Sequence, residues 1–175
     1  MVLSGKRSFV YHADIKGAFL TGKRMEVLRA IVEKKGREAI TVVTTMDAFL
    51  DGLPSKEELC GNRIKIHAEE ALDFQKLQEN LSILGYEREN QVESPGQFAV
   101  RGGILDVFPL TEENPIRIEL WGDEVDSIRS FDVESQRSTE NLQEIEIYPA
   151  TENWKQMERK AFWHISGKGD NLVFG

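Results

Sequence analysis

The apolar positions Phe74, Leu77, Leu81 and Leu84 recur at the spacing of one helix face, with Asp73 placed to cap the front and Gly85 to close the end. A second stripe, Met25, Leu28, Ile31 and Val32, predicts a helix over 22–35, capped by Thr21 and stopped by Gly36. Between them, residues 40–43 form a β-branched run that is apolar on both faces, as in the interior of a parallel sheet. A short helix follows through Leu50 and ends at Asp51-Gly52-Leu53-Pro54. Residues 8–11 and 63–67 read as further short strands.

After Tyr86 the helical period gives way to alternation. Residues 97–100, 103–108, 115–121, 125–131 and 144–148 read as successive strands, joined by Gly102-Gly103, residues 111–114 and Gly122-Asp123. Connections this short make antiparallel neighbours. The expected class is therefore α+β: a strand-helix-strand fragment over 1–60, a mainly antiparallel sheet with a packed helix over 61–152, and an unassigned tail over 153–175. The change of character at Gly61-Asn62 marks the boundary. The tail carries Trp154, Met157 and Phe162 before a glycine-rich end that is expected to be loosely held. A strand that is apolar on both faces and short of neighbours recruits another chain, so self-association, or packing against Trp154 and Phe162, is expected.

Composition narrows the function. With 40% apolar and 30% charged residues, no apolar run of membrane-spanning length and no signal-peptide pattern, the 175-residue chain is expected to be globular and cytoplasmic, without membrane contact. A net charge of -8 opposes broad contact with a phosphate backbone; Lys6-Arg7, Lys23-Arg24 and Lys34-Lys35-Arg37 are the candidates for a local basic patch. Cys60 alone cannot form an internal disulfide, and His12, His67 and His164 do not fall at metal-ligand spacing. The pairs Gly5-Lys6, Gly22-Lys23 and Gly167-Lys168 lack the following Ser or Thr and the preceding Gly of a phosphate loop. Acid clusters at Glu69-Glu70, Glu112-Glu113 and Asp123-Glu124-Asp126 have no His or Lys partner, and no nucleophile and base pair can be assembled. No catalytic residue, metal or cofactor is expected, and the chain is not expected to be an enzyme.

One constellation points to docking. In residues 115–121, Ile116, Ile118 and Leu120 alternate with Arg117, Glu119 and Trp121, so a guanidinium and an indole share the outward face, ~13 Å apart at ~3.3 Å per residue. Arg101 falls on the outward side of the strand 97–100. Arg and Trp dominate interface hot spots, the first through bidentate charge-assisted bonds and the second through rigid apolar area. The competing reading is internal: Trp121 closes a sheet edge, and the arginines pair with Glu119 or Asp123 of the same molecule.

The stretch from Gly85 to Arg88, then Pro95-Gly96-Gln97-Phe98-Ala99-Val100-Arg101-Gly102-Gly103-Ile104-Leu105-Asp106-Val107-Phe108-Pro109, resembles the second domain shared by UvrB and the bacterial transcription-repair coupling factors (Mfd). The likeness continues through residues 115–129 and 131–138, while residues 40–54 resemble the end of the preceding first domain, so it covers about 13–152. The coupling-factor branch is favoured on two grounds. The tyrosine-rich, damage-holding hairpin of UvrB has no counterpart between Tyr11 and Arg24, and residues 131–138 follow the coupling-factor pattern. The resemblance implies that this domain binds UvrA through an arginine of the Gly-Gln-Phe strand, an arginine of the Pro-x-Arg strand and the aromatic residue ending it. Those positions are Arg101, Arg117 and Trp121, with Trp where some relatives carry Phe. RNA polymerase and DNA are expected to be met only through other parts of such a protein. The alternative is a DNA-binding fragment of a UvrB-like excision nuclease subunit, which implies duplex affinity that weakens with salt. After Glu152 the likeness ceases.

Overall fold

The computed structural model describes residues 2–3, 13–33, 41–50 and 53–151. The first elements are β1 (Val2–Leu3), α1 (Ala13–Val32), β2 (Val43–Thr44), α2 (Met46–Leu50) and α3 (Lys56–Gly61). They are followed by β3 (Ile64–His67) and α4 (Phe74–Ile83). The other described elements are strands: β4 (Glu87–Arg88), β5 (Gln97–Arg101), β6 (Ile104–Val107), β7 (Ile116–Trp121), β8 (Glu124–Phe131), β9 (Ser138–Leu142) and β10 (Glu144–Ile147). Helices beside mostly antiparallel sheet make this an α+β fold.

Six strands form one sheet in the order β4-β5-β6-β7-β8-β9, antiparallel at every pairing except β4 with β5. Two-residue loops join β5 to β6 and β7 to β8, with Gly102 at φ 60° and Gly122 at φ 64°, a backbone that other residues adopt only under strain. A bulge pairs Leu120 with Val125 directly after Glu119 with Ser127, leaving Asp126 over. That extra residue keeps both Val125 and Ile128 on the buried face.

The buried face of the sheet packs on α4. Asp73 caps this helix by accepting the Lys76 N–H at 2.9 Å, and Leu77, Leu81 and Leu84 meet Phe98, Leu105, Val107, Ile116, Ile118 and Ile128 in the main core. Gly85, at φ 90°, turns the chain away so closely to Thr151 that a side chain would meet its Cγ2 at 3.0 Å. Residues 144–148, expected to extend the run of sheet strands, do otherwise. Once Ala68 has donated its N–H to the Gln143 carbonyl at 2.9 Å, β10 leaves the sheet and pairs antiparallel with β3, carrying Ile145 and Ile147 into the core beside Ile66.

The amino-terminal elements pack against the far end of this unit. Met25 and Leu28 of α1 and Leu59 of α3 bury against Leu110 and Tyr148, and Arg29 reaches Glu112 at 2.7 Å. α1 starts at Ala13, so Thr21 lies within the helix and does not cap it. Gly22 is kept inside the helix because a Cβ there would sit 3.2 Å from the Leu110 carbonyl oxygen. Ile31, expected on the buried stripe, is exposed, and Val27 is buried in its place. Lys23-Arg24 is no open basic patch: Arg24 is buried and Lys23 pairs with Glu26 at 2.8 Å. Among the described residues of the strand expected at 40–43, Val43 is in strand and continues into Thr44, paired in parallel with Val2 and Leu3, and Val43 is exposed. The expected strand at 8–11, Gly36, Lys6-Arg7, Lys34-Lys35-Arg37 and the tail with Trp154 and Phe162 lie outside the described residues.

Candidate functional site

Alternate residues of β5 to β8 that do not enter the main core make the opposite face of the sheet. β7 is the clearest case: Ile116 and Ile118 are buried in the core, while Arg117, Glu119 and Trp121 point the other way. In β6, Leu105 and Val107 are core residues and Asp106 lies between them, in register with Arg117 on one side and Ala99 on the other. Arg101 stands two residues beyond Ala99, on the same face.

Asp106 is the centre of this face. Arg117 grips it with two parallel bonds, Nε donating to Oδ1 at 2.7 Å and Nη2 to Oδ2 at 2.9 Å, and Arg101 donates from Nη2 to Oδ2 at 2.6 Å. Arg117 Nη2 also donates to Gln136 Oε1 at 3.1 Å, and its guanidinium lies 4.5 Å from the Phe131 ring centroid. The Arg117 pKa is raised, chiefly by the hydrogen bond to Asp106. The Asp106 side chain is only 3% exposed, Arg117 is 18% exposed and Arg101 is 50% exposed. Two cations on one carboxylate leave a net positive charge, and it is Arg101 that reaches solvent.

Trp121 ends β7 at the tight turn with 85% of its surface exposed. It closes no sheet edge, because β7 is an interior strand between β6 and β8. Glu119 is taken by Arg129 and accepts from Ser127 Oγ at 3.2 Å. The structure thus brings Arg101 and Arg117 onto a shared carboxylate and leaves Trp121 open on the same face. The internal partner proves to be Asp106, where Glu119 or Asp123 were the expected candidates. Asp106 was missed, and the signal for it was the alternation of Leu105-Asp106-Val107, which sets a carboxylate on the arginine face.

An exposed indole on the same sheet face as guanidinium N–H groups suits a protein surface that offers an apolar pocket and a carboxylate. Among the described residues no cluster of His, Cys, Asp and Glu could hold a metal ion, and no helix is long and apolar enough to cross a membrane. Cys60 is a free, partly buried thiol.

The profile of the UvrB interaction domain family matches residues 64–153, which takes in β3 through β10 and every side chain of this face. The chain is 41% identical over 142 residues to the transcription-repair-coupling factor of Bacillus subtilis, covering 81% of this chain and 12% of that protein. It is 38% identical over 133 residues to the transcription-repair-coupling factor of Staphylococcus aureus strain bovine RF122, covering 76% of this chain and 11% of that protein. The chain therefore spans about one eighth of the length of these relatives.

Proposed function

The chain belongs to the UvrB interaction domain family, and from that premise we propose that it is a non-catalytic docking module that binds UvrA, as part of a transcription-repair coupling factor in nucleotide excision repair. Residues 61–152 are the docking domain, and Arg101, Arg117 and Trp121 are its contact residues. The observation that carries this reading is Trp121, a large indole 85% exposed on an interior strand, on the same sheet face as arginines already held in place. A side chain of that kind contributes nothing to the core and gains most when a partner covers it. RNA polymerase and DNA would be engaged by other parts of the full-length relatives, in the cytoplasm.

The test is a titration of purified UvrA onto the immobilised chain, with Trp121→Ala beside it. The parent binds, and Trp121→Ala binds at least tenfold more weakly, the loss of ~2 kcal/mol usual for a hot-spot aromatic. Equal binding by the two would remove Trp121 from the interface. The non-catalytic part of the reading is checked separately: millimolar ATP with magnesium leaves the melting temperature unchanged, since a ligand of the native state would raise it.

A further inference from the structure

Asp106 is nearly absent from the surface, at 3% side-chain exposure, yet it sits on the face assigned to docking and not in the apolar core. Both of its oxygens are occupied by guanidinium donors: Oδ1 by Arg117 Nε, and Oδ2 by Arg117 Nη2 and Arg101 Nη2. We infer that Asp106 is the positioning residue of the docking face, holding Arg101 and Arg117 in their binding orientation before a partner arrives and aiming their remaining N–H groups at a carboxylate of that partner. This rests on the docking reading above.

The donor inventory supports it. Arg117 uses Nε and both N–H groups of Nη2, on Asp106 and Gln136, which leaves Nη1. Arg101 uses one N–H of Nη2, and its half-exposed guanidinium keeps Nε and Nη1. One carboxylate cannot neutralise two guanidiniums, so a second carboxylate brought by the partner completes the cluster. Free arginines explore many rotamers, and ordering them on association weakens binding, whereas an arginine already fixed loses little. Asp106 does this ordering in the unbound chain. Ala99, its neighbour in register on β5, is too small to compete for the space.

The experiment titrates UvrA onto the parent, Asp106→Asn, Asp106→Glu, Arg101→Ala, the double variant Asp106→Asn with Arg101→Ala, and Trp121→Ala. Urea melts correct each affinity for the folded fraction. Arginine Nε–H resonances report whether the Arg117 Nε–H stays protected. Asp106→Asn is expected to weaken binding roughly tenfold per folded molecule, the cost of ordering two long side chains anew. The Arg117 Nε–H signal loses its protection, and the effects of Asp106→Asn and Arg101→Ala combine to less than their product. Parent-like affinity for Asp106→Asn, or effects that multiply fully, would overturn the inference, since Asp106 would then not act through the arginines. If Asp106→Asn does not fold, Asp106→Glu decides: it keeps the charge but displaces both guanidiniums by a methylene. A folded Asp106→Glu that binds weakly supports positioning, and one that binds like the parent refutes it. Failure of the docking reading itself looks different, because UvrA then binds neither the parent nor any variant, and the inference falls with it.

Discussion

The two faces of the β5 to β8 sheet are made by alternate residues of the same strands, yet different forces hold them. On the face toward α4, Phe98, Leu105, Val107, Ile116, Ile118 and Ile128 meet Leu77, Leu81 and Leu84, and order comes from excluded water and close packing. On the other face, Asp106, Arg101 and Arg117 are ordered by three short charge-assisted bonds, and Trp121 is ordered by very little. The first face depends on area and volume, the second on direction. A sheet can therefore carry a stable core and an open recognition surface on the same backbone, and substitutions should separate the two properties according to the face they touch.

The largest effect is expected on the packed face. Ile118 is fully buried at the centre of the core, so Ile118→Ala removes three heavy atoms and leaves a cavity, costing about 2–5 kcal/mol of stability in a urea melt. The affinity of the molecules that remain folded for UvrA should not change. A large loss of affinity per folded molecule would mean that the two faces are coupled through the backbone and that the comparison fails.

Arg117 is where the comparison is most exposed to failure, because it is a contact candidate and also the bidentate partner of a buried carboxylate. Arg117→Ala should cost about 1–3 kcal/mol of stability, since Asp106 keeps only Arg101. Arg117→Glu should be worse in both stability and UvrA affinity, because it sets a second carboxylate against Asp106 and against an acidic partner. Trp121→Ala should leave stability within about 0.5 kcal/mol, as exposed positions do, while it weakens binding. Arg137→Ala, exposed and outside the cluster, is the control and should change neither. If Arg117→Glu proves no worse than Arg117→Ala, the charge argument for this face is wrong.

What could be read in the sequence follows the same division. The packed face was legible because its signal is periodic: Asp73 and Gly85 bracket α4, and the alternation through Ile116, Ile118 and Leu120 assigns each residue to a face. Gly102 and Gly122 mark the hairpins because their positive φ excludes most other residues. The orientation of Arg117 and Trp121 came from that same alternation. Asp106 was not legible as a buried residue, since an acid between Leu105 and Val107 reads as the solvent side of a strand; its burial depends on arginines from two neighbouring strands closing over it. β9 was missed because Ser138-Thr139-Glu140-Asn141-Leu142 is a polar edge with no alternation. α3 was missed although its capping box, Ser55 with Glu58, was there to find, because Leu59 alone gives no periodic stripe.

The smallest predicted effect asks whether any ion cluster on this molecule behaves like the one at Asp106. Beside the β3–β10 pair, Glu146 accepts from Lys65 and from the Tyr148 hydroxyl at 3.2 Å, and forms an ion pair with Arg63 Nη1 at 3.1 Å. Burial by itself would raise the Glu146 carboxyl, but the Lys65 hydrogen bond and the charges of Arg63 and Lys65 outweigh it and hold the group below its ordinary value of 4.5. A carboxylate depressed in the folded state adds stability above its unfolded pKa and loses it as the pH falls through the folded value. Glu146→Gln should therefore cost about 1 kcal/mol or less at pH 7, the scale of partly exposed ion pairs, and nothing once the pH is well below the folded pKa. Paired urea melts of parent and variant at pH 7 and in acid measure the difference. UvrA affinity at pH 7 should be unchanged, because this cluster stands on the separate β3–β10 sheet and not on the face that carries Arg101, Arg117 and Trp121. A Glu146→Gln variant that bound UvrA as weakly as Trp121→Ala would show that disturbing any surface ion pair impairs docking, and the special standing of Asp106 would be lost.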